Sequence, residues 1–472
     1  MPCPYFFTML HLDDTICAVA TPPGEGGIGI VRLSGKQAMP IADRLFHTRA
    51  GQPSSLPSHT LHYGVVRNPE THERIDDAVL LLFHCPRSFT GEDVVEFSCH
   101  GGPVTIGLVL KLALQCGARM AEPGEFTRRA FLNGRMDLAQ AEAVCDQIRA
   151  KTEAAQRLAS RQRGGALSKQ VSRIRHELVG ALAAVEVTID FSEEVGDLDY
   201  TAMSARLVAL RQEIESLAAT ADRGKVYRDG VRLAIVGRPN VGKSSLMNAL
   251  LREERAIVTP IAGTTRDVIE ETANVCGIPI TAVDTAGLRD TEDEVERIGV
   301  ERAHAAIETA SLLLFVVDAT AGWTQKDAEI AARIGSQPAI WVLNKIDAVN
   351  ESQARQIQAD LVNLAGGSPV ISISAVNGLN MDLLEKTVAE TILGGQAGIG
   401  DELVITNARH QQALIVAANS LREAEATTQQ ALPPDFISID IRAALDAVGQ
   451  ITGETATEEV IHRIFHDFCV GK

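Results

Sequence analysis

Residues 232–244 restrict the possible fold more than any other stretch of this chain. An apolar run, Arg232-Leu-Ala-Ile-Val236, leads into Gly237-Arg-Pro-Asn-Val-Gly242-Lys243-Ser244 and then into a helical pattern. Strand, glycine-rich loop and helix in that order make a phosphate-binding loop. Its backbone N–H groups turn inward around phosphate oxygens, Lys243 sets a cation on the β- and γ-phosphates, and Ser244 offers a hydroxyl to Mg²⁺. A purely structural glycine turn is the alternative, and the strand-to-helix context argues against it. Further apolar runs at Ala282–Val283, Leu312–Val317, Ile340–Leu343 and Val370–Ile373 alternate with helical patterns. That alternation predicts a parallel sheet covered by helices between about Gly230 and Leu393.

Three more elements follow in the order a guanine-nucleotide site needs. Gly263-Thr264-Thr265-Arg266-Asp267 supplies a threonine able to reach Mg²⁺ while γ-phosphate is present. Asp284-Thr285-Ala286-Gly287 follows a strand and offers a carboxylate for Mg²⁺ and a glycine N–H for the γ-phosphate. Asn344-Lys345-Ile346-Asp347 reads the base: the Asp347 carboxylate accepts from guanine N1–H and its exocyclic amine, and adenine would leave that carboxylate unpaired. Ser374-Ala375 completes the pocket, and Asn240, Val241, Gly242, Lys243, Ser244 and Ser245 form the run expected against the phosphates. The chain therefore reads as a P-loop GTPase of the translation-factor-like kind, binding GTP with Mg²⁺. Where many GTPases carry a water-orienting glutamine this chain has Leu288, so hydrolysis needs another arrangement. The acidic segment Arg289–Arg297 offers carboxylates, Glu296 among them; a solvated face is the alternative reading of the same spacing.

A length of 472 residues calls for two or three domains. No apolar run reaches the roughly 18 residues of a membrane span, and no secretory signal is legible, so a cytoplasmic protein is expected. Eight cysteines (Cys3, Cys17, Cys85, Cys99, Cys116, Cys145, Cys276, Cys469) without C-x-x-C spacing read as reduced thiols. A formal charge of −17 opposes general nucleic-acid binding, so any RNA contact must be local or shared with a partner. Arg161, Arg163, Lys169, Arg173 and Arg175 are a candidate tRNA contact, with a solvated helix face as the alternative.

From about residue 13 to 120, short strands (Ile28–Leu33, Ala78–Phe83, Val94–Ser98) and one helix after Pro103 predict an α+β domain. From Asp137 the pattern is helical, with Leu178, Leu182, Val185 and Ile189 on one helix face. Thr455-Ala-Thr-Glu458 is spaced as a capping box. The expected architecture is multidomain α/β plus α: an N-terminal α+β domain over 1–133, a helical bundle over 134–229 and 394–472, and a Ras-like P-loop α/β GTPase domain inserted over 230–393.

Motifs outside the GTPase core narrow this further. Asp14-Thr-Ile, Thr21-Pro-Pro-Gly24, Phe89-Thr-Gly-Glu-Asp93, His100-Gly-Gly-Pro103, Pro123-Gly-Glu-Phe126, Ala130-Phe-Leu-Asn133, Asp137-Leu-Ala-Gln-Ala-Glu142 and the terminal Phe468-Cys-Val-Gly-Lys472 all stand in the chain. With them the sequence resembles the bacterial tRNA-modification GTPase family MnmE, also called TrmE, from about Asp14 to Lys472; residues 1 to about 12 precede the family start. The resemblance implies a homodimer formed by the N-terminal domain, which binds 5-formyl-tetrahydrofolate or a related folate at positions matching Arg32, Glu96, Arg135 and Lys472. It implies K⁺ at positions matching Asn240, Thr259, Ile261 and Thr264, Mg²⁺ at Ser244 and Thr265, and Glu296 as the catalytic glutamate acting with Lys243 and Asp284.

The implied reaction adds a carboxymethylaminomethyl or aminomethyl group to C5 of the wobble uridine of certain tRNAs, together with a flavin-dependent partner of the MnmG (GidA) kind carrying FAD. Cys469 matches the family's C-terminal cysteine; a small apolar residue packed beside Phe465 and Phe468 is the alternative. The rival functions are a regulatory GTPase switch in ribosome assembly, for which no appended basic module is found, and a folate-dependent one-carbon transferase regulated by its G domain.

Overall fold

The computed structural model describes residues 14–253, 272–283, 308–395 and 402–471. The chain opens with β1 (Ile16–Val19), β2 (Gly26–Ser34), α1 (Ala38–Leu45), β3 (Phe46–His47), β4 (Thr60–Arg67), β5 (Arg74–Phe83), β6 (Val94–Gly101), α2 (Pro103–Gln115), β7 (Arg119–Met120) and α3 (Glu125–Leu132). The seven strands form one sheet in the order β3-β4-β5-β6-β2-β1-β7, with β1 and β7 parallel and the other pairs antiparallel. One face buries Val31, Leu33, Leu80, Leu82, Val95 and Phe97 against α1 and α2. The alternation of buried and part-exposed residues along β5 and β6 is the period-two pattern of a sheet covered on one side. Helix α1 is an addition to the one helix expected here; at eight residues, with Pro40 in its first turn, its sequence signal is short.

A helical segment follows: α4 (Leu138–Arg149), α5 (Glu153–Arg163), α6 (Ala166–Asp190), α7 (Ser192–Val195), α8 (Tyr200–Ala219) and α9 (Ala221–Asp229). Asp137 begins it with a capping box, its side chain accepting from the Gln140 N–H. After the inserted sheet come α14 (Ala408–Gln429), α15 (Pro434–Thr452) and α16 (Glu458–His466). Helices α6, α8, α14 and α15 share one core containing Leu178, Val185, Leu207, Ile214, Leu414, Leu421, Ile441 and Val448, with Leu182 and Ile189 packed against it. The two parts of the chain on either side of the insertion therefore bury their apolar faces against each other. The capping box expected at Thr455 and Glu458 does not form. Thr457 caps α16, accepting from the Val460 N–H at 3.4 Å, while the Thr455 hydroxyl donates to the Asp446 carbonyl at 2.6 Å, so the helix before it claims that side chain.

Between the helical parts lie β8 (Val231–Val236), α10 (Lys243–Glu253), β9 (Thr272–Val275), β10 (Ile278–Val283), β11 (Leu312–Asp318), α11 (Gln325–Ile334), β12 (Ala339–Asn344), α12 (Glu351–Leu364), β13 (Val370–Ser372) and α13 (Met381–Ile392). The sheet order is β13-β12-β11-β8-β10-β9, parallel except for β9. Every residue of β11 is buried, because helices cover both faces. Leu312, Leu314 and Val316 face the side of Leu246, Leu250, Leu384 and Val388; Leu313, Phe315 and Val317 face that of Ile334 and Leu361. This parallel sheet carries the phosphate-loop sequence at the C-terminal end of a central strand, where open α/β sheets bind their ligands.

Candidate guanine-nucleotide site

Strand β8 ends at Val236 and the chain turns through Gly237–Gly242 into α10. Gly242 has φ +97°, and a Cβ there would lie 2.3 Å from Asn344 Nδ2; at Gly237 it would lie 2.5 Å from the Val316 carbonyl oxygen. Both positions accept only glycine, which leaves the loop backbone bare toward a phosphate group. The Lys243 ammonium lies over the loop and donates to the carbonyls of Gly237 (2.9 Å) and Arg238 (2.7 Å).

Asn344 is 2% exposed and holds the base side of the site to the phosphate side. Its Nδ2 donates to the Val241 carbonyl at 2.9 Å and its Oδ1 accepts from the Ala375 N–H at 3.1 Å. Lys345 donates to the Asn240 carbonyl at 2.6 Å and to Asp318 Oδ2 at 2.7 Å. Burial pushes the Asp318 carboxyl up, but hydrogen bonds from Lys345 and Thr320 outweigh it and hold the group below the usual carboxylate range. Asp347 sits in a short 3₁₀ turn and is exposed, while Ser374 is fully buried with its Oγ accepting from the Asn377 N–H. Ser244 is exposed and Ser245 half-buried on the first turn of α10.

The structure thus gathers Asn240, Val241, Gly242, Lys243, Asn344, Lys345, Ser374 and Ala375 around one loop. The glycine cradle, the ammonium and the exposed carboxylate fit a guanosine phosphate. Thr259, Ile261, Thr264, Thr265, Asp284, Thr285, Ala286, Gly287, Leu288 and Glu296 lie outside the described residues, as does Lys472. Asp318 belongs to no nucleotide motif, and its signal in the sequence is an aspartate closing an apolar strand.

In the N-terminal sheet, Arg32 and Glu96 are cross-strand partners on β2 and β6, with Nε 2.6 Å from Oε1. The Arg32 guanidinium also donates to the Gly471 carbonyl at 3.3 Å and lies over the Phe126 ring at 5.6 Å. The residue before Lys472 is therefore seated beside Arg32. A fork of donors, a carboxylate acceptor and an aromatic ring suit a flat heterocycle with an amide edge. Arg135 is exposed and makes its contacts elsewhere: its N–H donates to the Ala130 carbonyl and its side-chain carbons lie close to Gly91.

Several motif residues are framework. Arg129, 1% exposed, donates to Asp14 Oδ1 (2.5 Å), Glu92 (3.2 Å) and Glu125 (3.0 Å). Arg119 donates to the same Glu125 at 2.7 Å. Cys469 is exposed, whereas Phe465 and Phe468 are buried, so the packed-apolar alternative does not describe it. Arg173 pairs with Glu213 and Arg175 with Glu454, which gives these two basic residues intramolecular partners. Among the described residues no helix is long and apolar enough to cross a membrane, and no cluster of His, Cys, Asp or Glu could hold a metal ion.

Residues 15–135 match the family described as GTP-binding protein TrmE N-terminus, and residues 138–469 match the MnmE helical domain. The second match covers more than half of the chain. A tRNA modification GTPase MnmE from Desulforamulus reducens is 45% identical over 464 residues, 98% of this chain and 100% of its own. The chain belongs to the MnmE family. Another tRNA modification GTPase MnmE, from Moorella thermoacetica, is 47% identical over 463 residues, again 98% of this chain and 100% of its own. A solved structure of Aquifex aeolicus Era bound to GDP.AlF4⁻ covers 40% of this chain and 66% of its own at 33% identity, with a TM-score of 0.29. The two MnmE family matches meet at residues 135 and 138, on either side of the Asp137 cap of α4.

Proposed function

We propose that this member of the MnmE family of tRNA modification GTPases binds GTP on the 237–245, 344–347 and 374–375 loops. Together with a flavin-dependent, FAD-carrying partner of the MnmG kind, it installs a carboxymethylaminomethyl or aminomethyl group at C5 of the wobble uridine of certain tRNAs. The observation that carries the GTP reading is the Asn344 side chain, which bonds the phosphate loop and the base loop at once. Within the site, Lys243 binds the phosphates, Asp347 selects guanine, and Ser244 with Thr265 and Asp284 would hold Mg²⁺. Asn240, Thr259, Ile261 and Thr264 would hold K⁺, and Glu296 would orient the attacking water. When bound, the two cations supply positive charge against that developing on the phosphate oxygens.

Arg32, Glu96, Arg135 and Lys472 would hold a folate that supplies the one-carbon unit, in a cytoplasmic homodimer joined by the N-terminal domains. The support for this part is the ion pair of Arg32 and Glu96 beside Phe126, with the Gly471 carbonyl accepting from Arg32. The test is nucleoside mass spectrometry on total tRNA from cells lacking the gene, complemented with the wild-type chain or with Asp284→Ala. Loss of 5-substituted wobble uridines, restored only by the wild-type chain, is the expected result. Unchanged nucleosides in the deletion strain would sink the modification role.

A further inference from the structure

We infer that Arg238 and Asp327 form a positioning pair that sets the phosphate loop, and with it the Lys243 ammonium, against the first turn of α11. The inference rests on the reading of residues 237–245 as the GTP-phosphate site and assigns the loop a support that no motif names. Asp327 is fully buried. Its Oδ1 accepts from Arg238 Nε at 2.8 Å, while its Oδ2 accepts from the Thr324 N–H (3.0 Å) and hydroxyl (2.6 Å) in the capping box of α11. Arg238 therefore has two tasks. Its side chain is clamped by the helix cap, and its main-chain carbonyl accepts from Lys243 Nζ at 2.7 Å.

The far end of the loop is held from another direction, by Lys345 on the Asn240 carbonyl and Asn344 on the Val241 carbonyl. The pair at Arg238 and Asp327 secures the near end, so the loop is fixed on both sides of Pro239. Helix capping alone does not account for this arrangement, because an exposed carboxylate caps equally well. Net stability does not account for it either. Buried ion pairs gain little over apolar packing, and Arg238 Nη2 is buried without a hydrogen-bond partner among the described residues, which is a cost. Placement of the loop is the remaining gain: catalytic groups act through geometry, and a small displacement of the ammonium from the phosphates lowers the rate.

The experiment uses the full chain with Arg238→Met, Asp327→Asn, the double variant and Thr324→Ala. It measures kcat and KM for GTP, the affinity for a fluorescent GDP analogue, and Tm. Each single variant at the pair should lower kcat/KM for GTP by on the order of tenfold to a hundredfold, mainly through kcat. The double variant should be no worse than the worse single one, since one clamp is lost once. Thr324→Ala, which weakens the α11 cap and leaves the pair, should lower Tm without changing kcat. A wild-type kcat in Arg238→Met, additive losses in the double variant, or an equal kcat loss in Thr324→Ala each overturn the inference. Arg238→Met keeps the test open if Asp327→Asn does not fold, because that side chain is partly exposed and its loss uncovers only one carboxylate. Failure of the wild-type chain to bind the GDP analogue is a different result and removes the GTP-site reading instead.

Discussion

Glu142 and His410 stand 268 positions apart in the chain and meet in its interior, His410 Nε2 lying 2.6 Å from Glu142 Oε2. The same carboxylate accepts from Arg409 at 2.7 and 2.9 Å and from Asn407 Nδ2 at 3.0 Å. Glu142 belongs to α4, ahead of the inserted sheet, and its partners begin α14, behind it. The insertion therefore leaves and re-enters the helical part where a buried ionic cluster closes the chain on itself. Arg228, in the helix leading to β8, donates to Asp146 at 2.8 Å beside it.

Burial pushes the Glu142 carboxyl up, yet His410 and Arg409 more than offset this and hold it down at about 2, from an ordinary 4.5. A carboxyl depressed in the folded state adds stability that is present above its unfolded pKa and lost as pH falls through the folded one. Wild-type Tm should therefore fall steeply between pH 4.5 and about 2. Glu142→Gln, which removes the carboxylate shared by Arg409 and the buried His410, should cost about 3–5 kcal/mol near neutral pH and show a shallower acid limb. Thermal melts across that range check this; parallel acid limbs would remove Glu142 as the source.

Asn344→Ala removes the acceptor for the Ala375 N–H and the donor for the Val241 carbonyl, both within a buried contact. Leaving two buried backbone groups unsatisfied costs on the order of 2–4 kcal/mol. Affinity for a fluorescent GDP analogue should drop together with that for GTP, since base and phosphate loops lose register at once. Selective loss of one nucleotide would contradict the shared role.

Gly242→Ala places a methyl group where Asn344 Nδ2 already lies and forces φ +97° on a residue that rejects it. Nucleotide binding should be abolished. The cluster of α6, α8, α14 and α15 does not include this loop, so most of the helical circular-dichroism signal should persist. Retained binding in an equilibrium titration would show that the loop has another arrangement.

The thiols should separate by reactivity. Cys17 and Cys99 are buried, and burial pushes their thiols up to about 11 and about 12, whereas Cys469 is exposed. Thiolate is the reacting species, so brief iodoacetamide treatment at pH 8 followed by peptide mass mapping should label Cys469 and spare Cys17 and Cys99. Equal labelling of Cys17 would mean that the core of β1 opens on that timescale.

The ordered nucleotide motifs and the parallel sheet were legible because each is local: a strand, a glycine loop and a helix within a dozen or so residues, repeated down the chain. The helical face of Leu178, Leu182, Val185 and Ile189 was legible for the same reason, its period being written in a single segment. The register of the last helix was not. Thr455 has the spacing of a cap, but the Asp446 carbonyl of the preceding helix takes its hydroxyl, a competition visible only once the two helices are packed.

The sequence by itself determined the order of elements, the chemistry of the nucleotide loops and membership of a family through motifs scattered from Asp14 to Lys472. Only the tertiary structure decided which charged residues became partners. Arg32 with Glu96, Arg238 with Asp327, Lys345 with Asp318 and Glu142 with His410 are pairs of residues far apart in the chain. A charged side chain carries the same local signal whether it ends in water or in a buried pair. What separates the two is desolvation and the position of the opposite charge, and both are properties of the packed molecule.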